Sequence, residues 1–289
     1  MFLKKEKTLL ETDSQRIKQP DWNNAEKAAF VLPPVKRLWV ISCIQGDYIR
    51  LRQLHRKIAS HFLSGDGVLY LGSVIGVGRE PAKALEEVLL FRRGLLSFGG
   101  VKAEDICFLK GAQEDLLLKT MQLQFCPDAV AVLDWMMKQG LETTLMSFGI
   151  DIQEVYEAAQ KGTTALSYWT ADLKKTFQKK DGVAQYLENL KNMAVTHDKK
   201  VLFVPKGLDK TKSLERQGEA LRWGGTLPFE SEAPFLNFEK VVRTLPSSGD
   251  YGLFQTKYYM TLVSGGGYDG KINAVLLNEK YEKELFLEA

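Results

Sequence analysis

The sequence predicts an α/β fold with two β-sheets, and three observations indicate this class. Short apolar runs alternate with helical stretches over residues 38–109. The next segment, to about residue 193, is mostly helical, and strand signals joined by Gly-rich turns return after residue 200. Strands that alternate with helices indicate a parallel layer with right-handed crossovers, and a late cluster of strands indicates a second, more mixed sheet.

The individual elements follow from local patterns. Residues 38–41, 68–71 and 106–109 are apolar runs of strand type, and Pro81 is well placed in the first turn of a helix. A helix over about 48–62 has Ile49, Leu51, Leu54 and Ile58 on its predicted buried face. The later strand signals lie at 201–204, 241–242, 258–263 and 272–277.

Length and composition are typical of one large α/β domain with an appendage. The chain has 289 residues, 45% of them hydrophobic and 26% charged, which is enough to bury a sizeable core. Residues 1–37 are polar, contain Pro20 and a Pro33-Pro34 pair, and show no sustained periodicity. We therefore expect an N-terminal extension or linker at 1–37 and a single domain at 38–289.

Charge and cysteine usage restrict the partners and the compartment. The formal net charge of +3 comes entirely from residues 1–37, with eight Lys/Arg against five Asp/Glu, so the remaining chain is balanced. A balanced domain lacks the basic face that nucleic acid requires. No secretory signal or apolar run of about 20 residues is present, and the three cysteines have no paired spacing. We expect a cytoplasmic protein without nucleic-acid or membrane partners.

The predicted place for a site contains few reactive side chains. Glycine-rich loops follow the strands at 42–47, 72–78, 110–114 and 205–207, where functional residues of open α/β sheets gather. A two-metal centre needs converging His, Asp and Glu ligands. We interpret His55 and His61 as helix-surface residues and His197 as a strand-entry residue. Cys43 has no histidine placed to activate it, which favours a small buried apolar role.

The same loops resemble, in order, the signature blocks of the calcineurin-like metallophosphoesterases of the bacterial serine/threonine protein phosphatase type. Residues 41–47 (I-S-C-I-Q-G-D) resemble G-D-I-H-G, and 70–78 (Y-L-G-S-V-I-G-V-G) resemble F-L-G-D-Y-I-D-R-G. Residues 109–114 (L-K-G-A-Q-E) resemble L-R-G-N-H-E, and 203–208 (F-V-P-K-G-L) resemble F-V-H-A-G-L. Non-catalytic segments at 135–151 and 213–223 also resemble the family, so the resemblance covers about 38–278.

At the positions where the family carries its metal ligands and catalytic groups, this chain has other residues. The positions that resemble ligand positions are occupied by Cys43, Gln45, Ser73, Ala112, Pro205 and Thr244. Gln113 stands at the proton-donating His, Gly76 at its Asp partner, and Val77 and Gly225 at the two phosphate-binding arginines. Glu114 is kept.

The resemblance implies a metallophosphoesterase-like four-layer sandwich of two mixed β-sheets flanked by helices. The family norm is two divalent metals such as Mn, Fe or Zn, but the substitutions imply that no cofactor is expected here. Neutral residues are favourable once a metal is lost, because unpaired buried carboxylates repel one another. The leading hypothesis is a catalytically inactive homologue, a pseudophosphatase, that acts as a regulatory or scaffolding partner of another protein.

Two alternatives remain open. One is a hydrolase with a remodelled site that uses Cys43, Asp47, Glu114 or Lys206. The other is a binder of phosphorylated ligands without catalysis, with Lys110, Lys206 and Arg243 as candidates for residual anion contacts.

Overall fold

The computed structural model describes residues 29–226, 228 and 231–289 of the protein. The strands in this part of the chain are β1 (Phe30–Val31), β2 (Arg37–Ile41), β3 (Asp66–Tyr70), β4 (Ile106–Phe108), β5 (Ala194–Val195), β6 (Val201–Phe203), β7 (Lys240–Pro246), β8 (Gly252–Gln255), β9 (Tyr259–Ser264), β10 (Asn273–Leu277) and β11 (Lys283–Glu288). They form two mixed sheets with the strand orders β11-β10-β2-β3-β4 and β1-β5-β6-β7-β9-β8.

The predicted parallel layer is confirmed. β2 pairs in parallel with β3, and β3 pairs in parallel with β4. The prediction that all late strands join the second sheet is wrong, because β10 pairs antiparallel with β2 and β11 pairs antiparallel with β10. Local patterning detects a strand but not its partner, which for β10 lies more than 200 residues earlier in the chain.

The helices lie mainly between β2 and β5, as expected for a helical middle segment. Asp47 caps the first helix by accepting the N–H of Arg50 at 3.2 Å, and Pro81 occupies the first turn of the second. The helices are α1 (Tyr48–Ala59), α2 (Pro81–Ser97), α3 (Ala112–Thr120), α4 (Ala129–Lys138), α5 (Leu141–Ser147), α6 (Ile152–Lys161), α7 (Thr163–Gln178), α8 (Val183–Asn189) and α9 (Ala220–Trp223).

Alternation along β2 creates the layers of the fold. Leu38 and Val40 pack with Val242 and Met260 of the second sheet, so the two sheets face each other across one apolar cluster. Trp39 on the opposite face of β2 packs with the helices. The outer face of the second sheet is covered by a third cluster that includes Leu208, Leu214, Leu221, Phe235 and Phe238.

Three local expectations need correction. Residues 1–28 of the predicted extension lie outside the described residues, but its end belongs to the fold, since Ala29 and Leu32 are buried and β1 pairs with β5. A two-residue strand is too short for periodicity to detect. Ile49 was placed on the buried face of α1, yet it is 56% exposed.

His55 was interpreted as a surface residue and is in fact buried. Its ring stacks on Phe91 at 4.0 Å and makes 2.9 Å contacts with Glu87 and the Tyr70 hydroxyl. These contacts supply the partners that a buried imidazole requires. His61 and His197 are exposed, as expected.

In the described part of the chain, no helix combines the length and the apolar character needed to cross a membrane.

Candidate functional site

A small cavity lies where the loops after the parallel strands of both sheets meet. Its volume is about 130 Å³. All six residues predicted at ligand positions line it, together with Gln113, so the loops converge as the sequence implied. The lining residues are Cys43, Gln45, Ser73, Ala112, Gln113, Gln139, Pro205, Lys206, Arg222, Trp223, Thr244, Pro246 and Tyr268. A larger groove beside Arg37 and Asp66, of about 510 Å³, is lined by charges of both signs.

Cys43 at the floor of the cavity is tied into the sheet framework. Its backbone N–H donates to Thr244 Oγ1 at 3.0 Å, and its carbonyl accepts from Ser264 Oγ at 2.6 Å. Thr244 in turn donates to the carbonyl of Leu262. Burial raises the pKa of the Cys43 thiol to about 11, against the lowering effect of the Thr244 and Ser264 contacts. A protonated thiol is a poor nucleophile and a poor metal ligand.

Gln45 and Gln113 fill the centre of the site. Gln45 is buried with a left-handed backbone (φ +56°), and its side-chain oxygen Oε1 has no hydrogen-bond donor among the described residues. Both side chains approach Gly76 so closely that a Cβ atom there would overlap Gln45 Oε1 and crowd Gln113. Gln113 Nε2 donates to the carbonyl of Gln139 at 2.8 Å. The amides therefore occupy the space beside Gly76 that a carboxylate would need.

Glu114 is fully buried and holds two site loops together. It accepts the backbone N–H groups of Ser73 at 2.8 Å, Val74 at 2.7 Å and Gly111 at 3.0 Å. Burial raises the pKa of the Glu114 carboxyl, while the main-chain N–H donors act in the opposite direction. Ser73 has a left-handed backbone (φ +51°), a conformation that costs a non-glycine residue roughly 1 kcal/mol and persists only with such support.

The two positions predicted for phosphate-binding arginines are filled by close packing. Val77 packs on Gly140, where a Cβ atom would overlap Val77 Cγ1. Gly225 is exposed, but its backbone lies so near Leu208 that a Cβ atom would overlap the Leu208 carbonyl oxygen. Neither Val77 nor Gly225 lines the cavity.

Only one of the three predicted anion contacts reaches the cavity. Lys206 lines it. Lys110 instead lies 3.6 Å from Asp115, outside the cavity wall. Arg243 is buried and turned away, donating to Thr261 Oγ1 at 3.1 Å and to the Pro228 carbonyl at 3.1 Å. Arg243 and Thr244 are adjacent in β7, and adjacent strand residues point to opposite faces.

The residues of the remodelled-site alternative are not assembled into a constellation. Cys43 and Lys206 line the cavity, but Asp47 caps α1 and lies 2.7 Å from Arg50 Nη1, in a different groove. The carboxylate oxygens of Glu114 accept backbone N–H groups from two loops, and Glu114 does not line the cavity.

Sequence reasoning missed five residues of the cavity wall. All five lie in stretches that resemble the family, although no role was assigned to any of them. Arg222 Nε lies 3.1 Å from Asp115, and Trp223 contacts Trp135 with ring centroids 5.5 Å apart, so both are positioned by residues distant in sequence.

The donor set does not fit two divalent metals. Ala112 and Pro205 have no side-chain donor atom, burial raises the pKa of the Cys43 thiol and so disfavours its thiolate form, and the amide and hydroxyl groups of Gln45, Ser73 and Thr244 are weak ligands. Among the described residues, no group of three or more His, Cys, Asp or Glu side chains is arranged to hold a metal ion.

The sequence matches no protein-family model and no curated protein. Among solved structures, the chain is similar to a putative diadenosine tetraphosphatase, with TM-score 0.52 and 16% identity over 91% of this chain and 97% of that chain. It is also similar to a cold-active protein tyrosine phosphatase, with TM-score 0.51 and 11% identity over 90% and 82% of the two chains.

A metallophosphoesterase from Sphaerobacter thermophilus matches with TM-score 0.42 and 14% identity over 88% of each chain, a score too low to support an inference by itself. The first two similarities concern the fold alone. With the two facing mixed sheets and their flanking helices, they confirm the predicted fold class, an α/β four-layer sandwich of two mixed β-sheets flanked by helices.

Proposed function

We propose that this protein is a metallophosphoesterase homologue without hydrolytic activity, a pseudophosphatase that acts as a regulatory or scaffolding protein-interaction module. The observation that carries the proposal is the filling of the site. The side chains at the six predicted ligand positions and at Gln113 are neutral, Gln113 hydrogen-bonds to neighbouring backbone, Gln45 packs on Gly76, and the cavity that remains is only about 130 Å³.

The proposed location is cytoplasmic and the proposed partner is a protein, with neither nucleic acid nor a bound metal required. A site of this kind relieves the fold of the electrostatic cost of clustered carboxylates, since the one retained acid, Glu114, is satisfied by main-chain donors. The fold then persists as a rigid support for surface contacts.

Two measurements on the purified chain test the loss of catalysis. We expect no hydrolysis of an aryl phosphate in the presence of Mn²⁺, and no stoichiometric Mn, Fe or Zn by elemental analysis. Turnover that is abolished by a chelator, together with about two metals per chain, would overturn the proposal. A Gln113→Ala variant purified identically is the control, because a trace contaminant would give the same rate in both preparations.

The second candidate is a binder of phosphorylated ligands, and the observation in its favour is that Lys206 and Arg222 line the cavity. A thermal-shift series with phosphoserine and inorganic phosphate distinguishes a phosphate binder from a protein-interaction module with a filled site. A working phosphate pocket raises the melting temperature with ligand concentration by mass action, whereas a filled site gives a flat response.

A further inference from the structure

The outer part of the cavity differs in chemistry from its floor. Cys43, Gln45, Ser73 and Thr244 at the floor are uncharged, and each is at most 7% exposed. We define the cavity mouth as Lys206, Arg222, Trp223 and Tyr268, which line the same cavity and are more exposed. The mouth therefore combines cations with aromatic rings, while the floor supplies only neutral groups.

The charges at the mouth are of one sign. No carboxylate among the described residues lines the cavity, whereas Lys206 and Arg222 do. Arg222 lies 3.1 Å from Asp115, which also contacts Lys110 at 3.6 Å and Lys119 at 3.1 Å. Lys119 is also paired with Glu219 at 2.6 Å, so two carboxylates are shared among three cations. Lys206 adds a further cation at the cavity, so the wall keeps an excess of positive charge. Such an excess attracts an anionic group.

Main-chain donors that could hold a doubly charged phosphate are already used. The backbone N–H groups of Ser73, Val74 and Gly111 all donate to Glu114. An anion at the mouth therefore finds side-chain cations and no free set of backbone N–H groups from these loops. Two cations, one of them shared with Asp115, match a single negative charge better than a dianion.

Aromatic surface beside the mouth remains uncovered. Trp135, which contacts Trp223, is 45% exposed, and Tyr268 is 44% exposed. Exposed tryptophan and tyrosine rings are enriched at protein interfaces, where they bury large apolar areas at low entropic cost. An apolar residue next to the anionic group would cover these rings.

We propose that the cavity mouth binds the carboxylate of an Asp or Glu side chain that is flanked by apolar residues in a partner polypeptide. This inference rests on the proposed function, since it identifies where and how a pseudophosphatase contacts its partner. The carboxylate accepts from Lys206 and Arg222 while the flanking residues pack on Trp223, Trp135 and Tyr268.

The test uses the full chain and three acetylated, amidated tripeptides, Leu-Glu-Leu, Leu-Gln-Leu and Leu-phosphoserine-Leu. Titration is followed by the indole N–H resonance of Trp223 in NMR spectra, assigned with Trp223→Phe. We expect the Glu peptide to shift this resonance saturably and to bind about fivefold tighter than the Gln peptide. Raising the ionic strength should reduce this difference.

Lys206→Met should remove the preference for the Glu peptide and leave the Gln peptide nearly unaffected. The matched control is Lys174→Gln, an exposed lysine on α7 outside the cavity, which should retain the preference. Because Lys206 is half-buried, the melting temperature of each variant is measured as well. If Lys206→Met does not fold, the test is the salt dependence of peptide binding to the unmodified chain. A preference for the Glu peptide that does not weaken as the ionic strength rises would then contradict binding of the carboxylate by cations.

Equal binding of the Glu and Gln peptides, or no saturable shift with either, would overturn this inference. Tighter binding of the phosphoserine peptide would also overturn it, because the site would then be a phosphate pocket. These failures differ from failure of the proposed function, which is detected as chelator-sensitive phosphate release from an aryl phosphate without any peptide. Preference for the Glu peptide without phosphate release supports both proposals.

Discussion

The side-chain oxygen of Gln45 occupies the space that a Cβ atom on Gly76 would need. The two residues lie in different loops, after β2 and after β3. Gln45 stands at a predicted metal-ligand position and Gly76 at the predicted position of the Asp that partners the proton-donating His. Gly76 also has φ +146°, a conformation that L-residues rarely adopt. The two substitutions are therefore complementary: the larger side chain at 45 is accommodated because residue 76 has none.

Gly76→Ala should destabilise the fold by about 3 kcal/mol, since it adds a Cβ both in an unfavourable backbone region and against Gln45. Gln45→Ala in the same chain should recover about 1 kcal/mol of this loss, a coupling that a double-mutant cycle measures by urea denaturation. Strictly additive effects would contradict the packing described here. Gly94→Ala is the control: Gly94 is exposed in α2 with open space around it, so the change should stabilise by about 0.5–1 kcal/mol.

Glu114→Ala should cost about 4 kcal/mol of unfolding free energy, because it leaves the N–H groups of Ser73, Val74 and Gly111 buried without an acceptor. Glu114→Gln should cost about half as much, since one oxygen still accepts while the amide NH₂ opposes a donor. Chemical denaturation measures the free energies of unfolding. Hydrogen exchange at the Ser73 and Val74 amides, which should become faster in both variants, measures local opening of the loop after β3.

Glu219→Ala provides the comparison for Glu114, because Glu219 is exposed and pairs with Lys119 on the surface. Its effect should stay within about 0.5 kcal/mol. If Glu114→Ala were as mild as Glu219→Ala, the structural role assigned to the buried carboxylate would be wrong.

The strands of the parallel layer were predictable because each contains a short apolar run that is buried on both faces, as residues 38–41 of β2 and 68–70 of β3 show. β1 and β5 have two residues each, which is too short for an alternating apolar pattern to be recognised in the sequence. The return of β10 to pair with β2 depends on long-range packing, which no local pattern encodes.

The predicted site residues converge because loops at the carboxyl ends of parallel strands share one edge of a sheet, so Cys43, Ser73 and Ala112 could be grouped from sequence. Side-chain direction was less predictable. Arg243 points away from the cavity because it alternates with Thr244 along β7. Arg222 and Trp223 are positioned by Asp115 and Trp135, about 90–110 residues away, so their place in the cavity wall could not be predicted from local sequence.

His55 should make stability depend on pH. Burial lowers the pKa of His55, against the raising effect of Glu87, so the folded state holds the imidazole neutral where the unfolded chain begins to bind a proton. The contribution of His55 to the free energy of unfolding is complete above the ordinary histidine pKa of about 6.5. It is lost as the pH falls below that value, and the free energy of unfolding then falls with a limiting slope of about 1.4 kcal/mol per pH unit.

Replacing His55 by Gln should flatten this dependence while lowering stability at neutral pH, because the contacts with Tyr70 and Glu87 are only partly kept. Thermal unfolding followed across this pH range measures both effects. His61→Gln, at an exposed position of the same region, should leave the slope unchanged. An unaltered slope in His55→Gln would assign the acid sensitivity to other groups.

Gly225 should tolerate no side chain without movement of the backbone, although it is exposed. A Cβ atom at 225 would overlap the carbonyl oxygen of Leu208, a buried residue whose backbone cannot yield cheaply. We expect Gly225→Ala to cost about 2 kcal/mol and Gly225→Arg at least as much, measured by urea denaturation. Gly249→Ala should change stability by less than about 0.5 kcal/mol, because Gly249 is exposed with nothing near its Cβ position. A Gly225→Arg chain of unchanged stability would mean that the fold can still accept an arginine here, and that its absence is a matter of residue choice and not of packing.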